Sequence, residues 1–264
     1  MKVSIHAVSV ILPGVENWAQ AQPVLLGQAR IELRPVVVPI SSRLPATERR
    51  RVGLSVKLAL ALAEQLFANS SIAASEVATI FTSSGGDGEN CHILCEALAQ
   101  AQPSLSPTRF TNSVHNAPAG YWGIAAQSRP PSSSLCAYDA SFAAGLIEAA
   151  VYAQYEPEPV ALIAYDVSYP EPLNSKRHIP APAGIALLLA APGKLLAPLA
   201  SIELMGYETG DATALDDPLL ESLRQGIPAA RGLPLLVALA RRNAGILKLA
   251  GNRDQILPIE VRFE

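Results

Sequence analysis

An α/β fold with helices on both faces of a sheet is what this chain predicts, and three observations lead to it. Short runs rich in Val, Ile, Leu and Ala recur along the sequence, separated by stretches with helical spacing. Of the 264 residues 50% are hydrophobic and only 16% are charged, enough apolar material to bury strands on both faces. The segment 132–153 passes from a strand-like run into a very apolar helix with no loop between them.

Residues 2–12 alternate loosely and are rich in Val and Ile, which predicts a strand ended by Pro13-Gly14. A short helix follows at 16–21, and 35–40 is extended. Arg50 to Ala68 carries Val52, Val56, Leu60, Ala63 and Phe67 at helical spacing. Val77–Phe81 is an apolar strand; Ser84-Gly85-Gly86-Asp87-Gly88 turns the chain into a helix over 89–100. Residues 103–113 read as a loop, 115–127 as a helix and 132–138 as a strand. Asp139 opens a helix over Ala140–Ala153. Strands follow at 160–166, 184–191 and 201–207. The Pro-rich loop 169–182 is expected to cover a cleft. The tail predicts helices at 214–225 and 232–242 and strands at 245–249 and 256–262.

Composition excludes several classes of function. The net charge is −3 and the longest basic run is Arg49-Arg50-Arg51, too sparse a footprint for nucleic acid. No apolar run reaches about 18 residues, so no membrane span is expected. Three cysteines (Cys91, Cys95, Cys136) do not make a disulfide framework. The start of the chain lacks the apolar region of a signal peptide, which predicts a cytoplasmic protein. So little charge also predicts a surface covered by a partner subunit.

Other constellations read as structural. Ser83–Gly88 lacks the Gly-Lys-Ser/Thr ending of a phosphate loop. Cys91 and Cys95 lie one helical turn apart without a second ligand pair, so they are expected to be buried cysteines and no metal site is predicted. His115 beside Asn116 reads as a satisfied structural histidine.

The corner at Asp139 carries the most information. A sharp strand-to-helix turn exposes its corner residue beside the free N–H groups of the helix start, where enzymes place nucleophiles. Here that residue is an aspartate, which is expected to act as the helix N-cap. Cys136, three positions upstream, is expected to be buried on the opposite face.

Pro131-Ser132-Ser133-Ser134-Leu135-Cys136-Ala137-Tyr138-Asp139-Ala140-Ser141 resembles the active-site segment of β-ketoacyl synthases, with Asp139 standing at the place of the nucleophilic cysteine. Asn116–Trp122 resembles the helix segment before that motif. Val160–Asp166, Pro182–Leu189 and Leu199–Tyr207 resemble the later strands of the first half of the fold. The resemblance implies a thiolase-like α/β fold, a mixed sheet between helices. Residues 1–207 would be the ketosynthase N-terminal-half-like domain and 208–264 an abbreviated C-terminal α/β remnant packed on it. The family's two catalytic histidines belong to the second half; the histidines here are His6, His92, His115 and His178.

Condensation needs a thiolate and assisting imidazoles, so the resemblance implies a subunit that does not condense alone. It is similar to chain-length factors of type II polyketide and aryl-polyene systems. These pair with a full-length β-ketoacyl synthase as a heterodimer and, through that complex, meet acyl carrier protein. An aspartate at the corner would also repel a malonyl carboxylate. No catalytic residue and no cofactor are expected. The candidate tunnel or interface residues are Phe110, Val114, His115, Asn116, Tyr121, Trp122, Ser134, Cys136 and Tyr138, and the strand 132–138 would pair antiparallel with its counterpart in the partner. Two other readings stay open: a compact acyltransferase or hydrolase acting on acyl thioesters through Cys136, Ser141 or Asp139, and a homodimeric acyl-binding protein.

Overall fold

A computed structural model describes residues 1–68, 70–156 and 158–263. In chain order the first half contains β1 (Lys2–Ile11), α1 (Trp18–Leu25), α2 (Ala46–Arg49), α3 (Leu54–Ala68), β2 (Ala78–Thr82), α4 (Gly88–Leu98), α5 (Pro107–Thr111), α6 (Ala117–Ala126) and β3 (Ser132–Leu135). There follow α7 (Ser141–Tyr155), β4 (Val160–Asp166), β5 (Ala183–Ala190), β6 (Ala200–Leu204), β7 (Glu208–Thr209), α8 (Pro218–Gly226), α9 (Leu233–Arg241), β8 (Gly245–Ala250) and β9 (Gln255–Arg262). Single 3-10 turns occupy Tyr138–Ala140 and Pro228–Gly232.

The strands form one mixed sheet in the order β3-β2-β4-β5-β1-β6-β9, with β7 and β8 also hydrogen-bonded to β9. β2 runs parallel to both β3 and β4; the remaining pairs are antiparallel. Every residue of β4 and β5 is buried, because helices cover both faces. Val160, Leu162 and Ala164 point into the core shared with α7. Ala161, Ile163 and Tyr165 point into the core shared with α3 and α6. That two-residue alternation is the pleat of a strand buried on both sides.

The loose alternation of β1 has a local cause. Val3 and Ile5 share one core with Val8 and Val10, while Ala7 and Ile11 lie in the other. The pairing with β5 shifts register between Ile5 and Ala7. This bulge at His6 exchanges the phase of the two faces and keeps both sets of side chains inside.

α7 lies close to the sheet. A Cβ added at Gly145 would sit 2.8 Å from both Leu162 Cδ1 and Thr82 Cγ2, so the glycine sets the approach. After Tyr207 the chain adds β9 to the edge of β6. It also lays the 228–232 turn against α7, β5 and β4.

Several boundaries are corrected. The strand expected at 132–138 ends at Leu135, since the chain must turn sharply to enter α7. The helix expected from Arg50 begins at Leu54. The loop expected at 103–113 contains α5, in which Ser106 Oγ accepts from Arg109 N–H and Pro107 starts the first turn. Cys91 and Cys95 are exposed on α4, not buried, because Leu94 supplies that helix's inward face. Among the described residues no helix is long and apolar enough to cross a membrane.

Candidate functional site: the corner between β3 and α7

Between Leu135 and Ser141 the chain reverses through a 3-10 turn, with Tyr138 at a positive φ of 54°. Ser141 secures the turn: its Oγ accepts from Ala137 N–H at 3.0 Å and donates to Tyr138 O at 2.7 Å. Thr82 Oγ1 donates to Ser141 O at 2.9 Å and ties the turn to β2. Asp139 stands at the corner, as the sequence predicts.

Asp139 is not the helix N-cap. α7 begins after Ala140, without a side-chain cap. The Asp139 carboxylate turns to two arginines. Oδ1 accepts from Arg177 Nη2 at 2.9 Å and Oδ2 from Arg231 Nη2 at 3.2 Å. Two charge-assisted bonds outweigh a cap to neutral N–H groups. Asn252 serves the helix start instead: its Oδ1 accepts from Ala140 N–H at 3.1 Å.

The surroundings fix both arginines. Arg231 Nη1 donates to Gly251 O at 2.6 Å. The Arg177 guanidinium lies over the Tyr138 ring, 3.5 Å from its centroid. Burial pushes the Arg231 guanidinium down from its usual range while Asp139 holds it up. With two guanidiniums against one carboxylate, the pair of ion pairs is not a negative centre. The expected repulsion of a malonyl carboxylate is corrected accordingly. The loop 169–182 reaches the corner through Arg177. A cavity of about 210 Å³ is lined by Asp139, Arg177, His178 and Ile179 together with Gln225 and Pro228.

A second polar knot lies beneath. Asp166, 2% exposed at the end of β4, accepts from Ser84 N–H (2.8 Å), Ser84 Oγ (2.7 Å), Ser83 Oγ (3.2 Å) and Ala229 N–H (2.8 Å). Burial pushes its carboxyl above the usual range, and the four donors pull the other way.

The expected site residues divide into two groups. Phe110, Val114, Asn116, Cys136 and Tyr138 are exposed. Cys136 is therefore not the buried residue the strand pattern implied: the strand stops before it, and its thiol donates to Ser84 O at 3.2 Å from an exposed position. His115 is half-buried, and its Nε2 lies 3.0 Å from Leu135 O, which joins the α5–α6 connection to the end of β3. Ser134 is half-buried on β3 and its Oγ lacks a hydrogen-bond partner among the described residues. Tyr121 and Trp122 belong to the core. Trp122 is 1% exposed and stacks on Phe67 with ring centroids 5.6 Å apart; Tyr121 donates to Asn112 Oδ1. A direct surface contact through either ring is corrected on that ground.

His178 lines the small cavity, yet among the described residues no hydrogen bond joins a histidine to Asp139. His92 pairs with Glu96 on α4, and His6 sits in the β1 bulge. No cluster of His, Cys, Asp or Glu among the described residues could hold a metal ion.

Sequence reasoning missed Arg177, Arg231 and Asn252. Arg231 carried a signal: an arginine inside the apolar stretch 227–240 needs a buried partner.

Comparison with known proteins agrees with this architecture. The model of the β-ketoacyl synthase N-terminal domain matches residues 17–219. No curated protein matches the chain. A ketosynthase (ApeO) in complex with its chain length factor (ApeC) from Xenorhabdus doucetiae superposes with TM-score 0.73 at 23% identity, over 98% of this chain and 99% of that one. The ishigamide ketosynthase/chain length factor gives TM-score 0.75 at 13% identity, over 100% and 99%. A chain of AntDE:AntF, a type II polyketide acyl-carrier protein in complex with its ketosynthase, gives 0.75 at 12%, again over 100% and 99%. At these identities the structures establish a shared fold, the mixed, helix-covered sheet of thiolase-like proteins. With the family model spanning most of its length, this chain belongs to the β-ketoacyl synthase N-terminal domain family.

Proposed function

We propose that this chain is a non-catalytic, chain-length-factor-like subunit. It pairs with an active β-ketoacyl synthase in polyketide or fatty-acid chain elongation of the aryl-polyene type. The observation that carries the reading is the corner itself. In this reading Asp139 stands at the place of a condensing enzyme's thiolate; its carboxylate is bound by two arginines, and Asn252 occupies the neighbouring Ala140 N–H.

The surface supports a partner. β3 is an end strand of the sheet, and such an edge is a template for pairing across a subunit boundary. Phe110 (64% exposed), Val114 (54%) and Tyr138 (57%) give apolar exposure in the α5–α6 connection and at the corner, and His115 brings these two regions together. In this reading residues 208–264 are the abbreviated counterpart of a ketosynthase second half. Acyl carrier protein meets the chain through the complex.

Co-expression with a full-length ketosynthase, size-exclusion chromatography and product analysis test the proposal. A stable heterodimer whose product length changes with Phe110→Ala is expected. The isolated chain carrying Asp139→Cys is expected to condense nothing. Turnover of acyl thioesters by that variant, or by the wild-type chain alone through exposed Cys136, would overturn the non-catalytic reading and favour the acyltransferase or hydrolase.

A further inference from the structure

The two guanidiniums at the corner are positioned by more than Asp139. Arg231 is anchored through Gly251 O, and Arg177 is stacked on Tyr138. Their side chains are 16% and 17% exposed, and Arg177 Nε is buried without a hydrogen-bond partner among the described residues. Arg224, whose charge also acts on Arg231, is neutralised by Glu221. If the Asp139 carboxyl were removed, two guanidiniums, each more than four-fifths buried, would face the vacated space without their counter-charge. That space is reachable from the cavity beside His178 and from a broad depression lined by Tyr138, Asn252, Arg253, Asp254 and Gln255.

From this geometry we infer that Arg177 and Arg231 constitute an anion-binding site which Asp139 fills from within the chain. The site takes a small planar carboxylate when that side chain is absent. Each oxygen of the resident carboxylate goes to a different guanidinium, so the site selects a bridging carboxylate over a spherical anion. Asp139 is then a positioning residue. It acts through Arg177 on Tyr138 and through Arg231 on the segment 228–251. The inference rests on the corner alone and stands whether or not a ketosynthase binds the chain.

The test is size-matched rescue, read by thermal unfolding of the whole protein. Asp139→Ala vacates one carboxyl group, the size of formate; Asp139→Gly vacates a methylene as well, the size of acetate. In chloride buffer each variant should melt about 5 °C below wild type. Formate at about 50 mM should restore at least half of that loss in Asp139→Ala, acetate less, and sodium chloride of equal ionic strength nothing. In Asp139→Gly acetate should be the better rescuer. Wild type, with its site filled, should not move, and Asp139→Ala combined with Arg231→Gln should not respond. Arginine Nε–Hε signals in NMR should shift with formate in the Ala variant alone. Equal effects of formate on wild type and variant, or rescue without size or shape preference, would overturn the inference. If Asp139→Ala folds only in formate, the inference is supported; if it folds in neither buffer, the inference is refuted.

Discussion

Replacing Asp166 with asparagine tests how the sheet is tied to the segment after Tyr207. The two carboxylate oxygens serve two backbone donors: Ser84 N–H on Oδ1 and Ala229 N–H on Oδ2, each at 2.8 Å. Asparagine fits the space but has one acceptor oxygen. Whichever way the amide turns, its NH2 group faces one of those N–H groups. One buried donor is stranded, at a cost of about 1–3 kcal/mol. The Ser83 and Ser84 hydroxyls can rotate to accept from the new NH2, so they add little. Lost charge assistance is offset by relief of a buried charge. The net is about 2 kcal/mol at pH 7, a fall in Tm of about 4–8 °C for a chain of this size. Calorimetry with urea unfolding at unchanged m-value measures it. Ser83→Ala removes the 3.2 Å bond to Asp166 together with the bonds that Ser83 Oγ accepts from Gly85 N–H and Gly86 N–H, so its cost reports the turn as well as the carboxylate. The pH profile adds a check. Burial holds the native carboxyl above its ordinary value, so the native state keeps a proton that the unfolded chain releases above about pH 4. Wild-type stability from this group therefore declines as pH rises from there through the native pKa. Asparagine lacks that slope, and the gap between the two proteins should narrow from pH 4 to pH 7. Equal stability of Asp166→Asn and wild type, or a gap that widens from pH 4 to pH 7, would refute the accounting.

Two further outcomes follow from the packing and the charges. Gly145→Ala gains helix propensity of about 1 kcal/mol. It also forces a methyl to within 2.8 Å of Leu162 and Thr82, an overpacking cost of about 1–3 kcal/mol, so urea unfolding should show net destabilisation. Glu221 bonds Arg224 first, then Leu215 N–H and Gln225, which bring its pKa down to about 2. Its contribution to stability is present above the ordinary glutamate value, near 4.3. It is lost as pH falls towards about 2, so Glu221→Gln should flatten the stability profile across that window.

The parts of the fold that were legible in the sequence are those where one physical demand dominates. β4 and β5 are buried on both faces, and uninterrupted apolar runs announced them. Where two demands compete, the reading blurred. The His6 bulge swaps the faces of β1 midway, so its alternation looked loose. Ser106-Pro107 carried a helix-start signal inside a stretch whose Pro, Ser and Thr content suggested a loop. The exposure of Cys91, Cys95 and Cys136 followed from neighbours, Leu94 in one case and the early end of β3 in the other, which no residue-type preference encodes.

The corner was half legible, for a reason that bears on its chemistry. Local sequence placed Asp139 there, but a carboxylate two-thirds buried in its side chain needs counter-charges. Those come from positions 38 and 92 residues away, and the helix start is served from 112 residues away. Such long-range partners leave no periodic trace. In the proposed reading they also predict that a cysteine at 139 does not make a condensing site. Two guanidiniums would favour the thiolate, yet Asn252 would still hold Ala140 N–H, and among the described residues Asp139 is hydrogen-bonded to arginines and to no histidine. On that reading, condensation would require rebuilding the contacts made by residues 228–252 as well as exchanging one side chain. For that reason the absence of turnover expected of Asp139→Cys tests the environment of the corner, not only the identity of its residue.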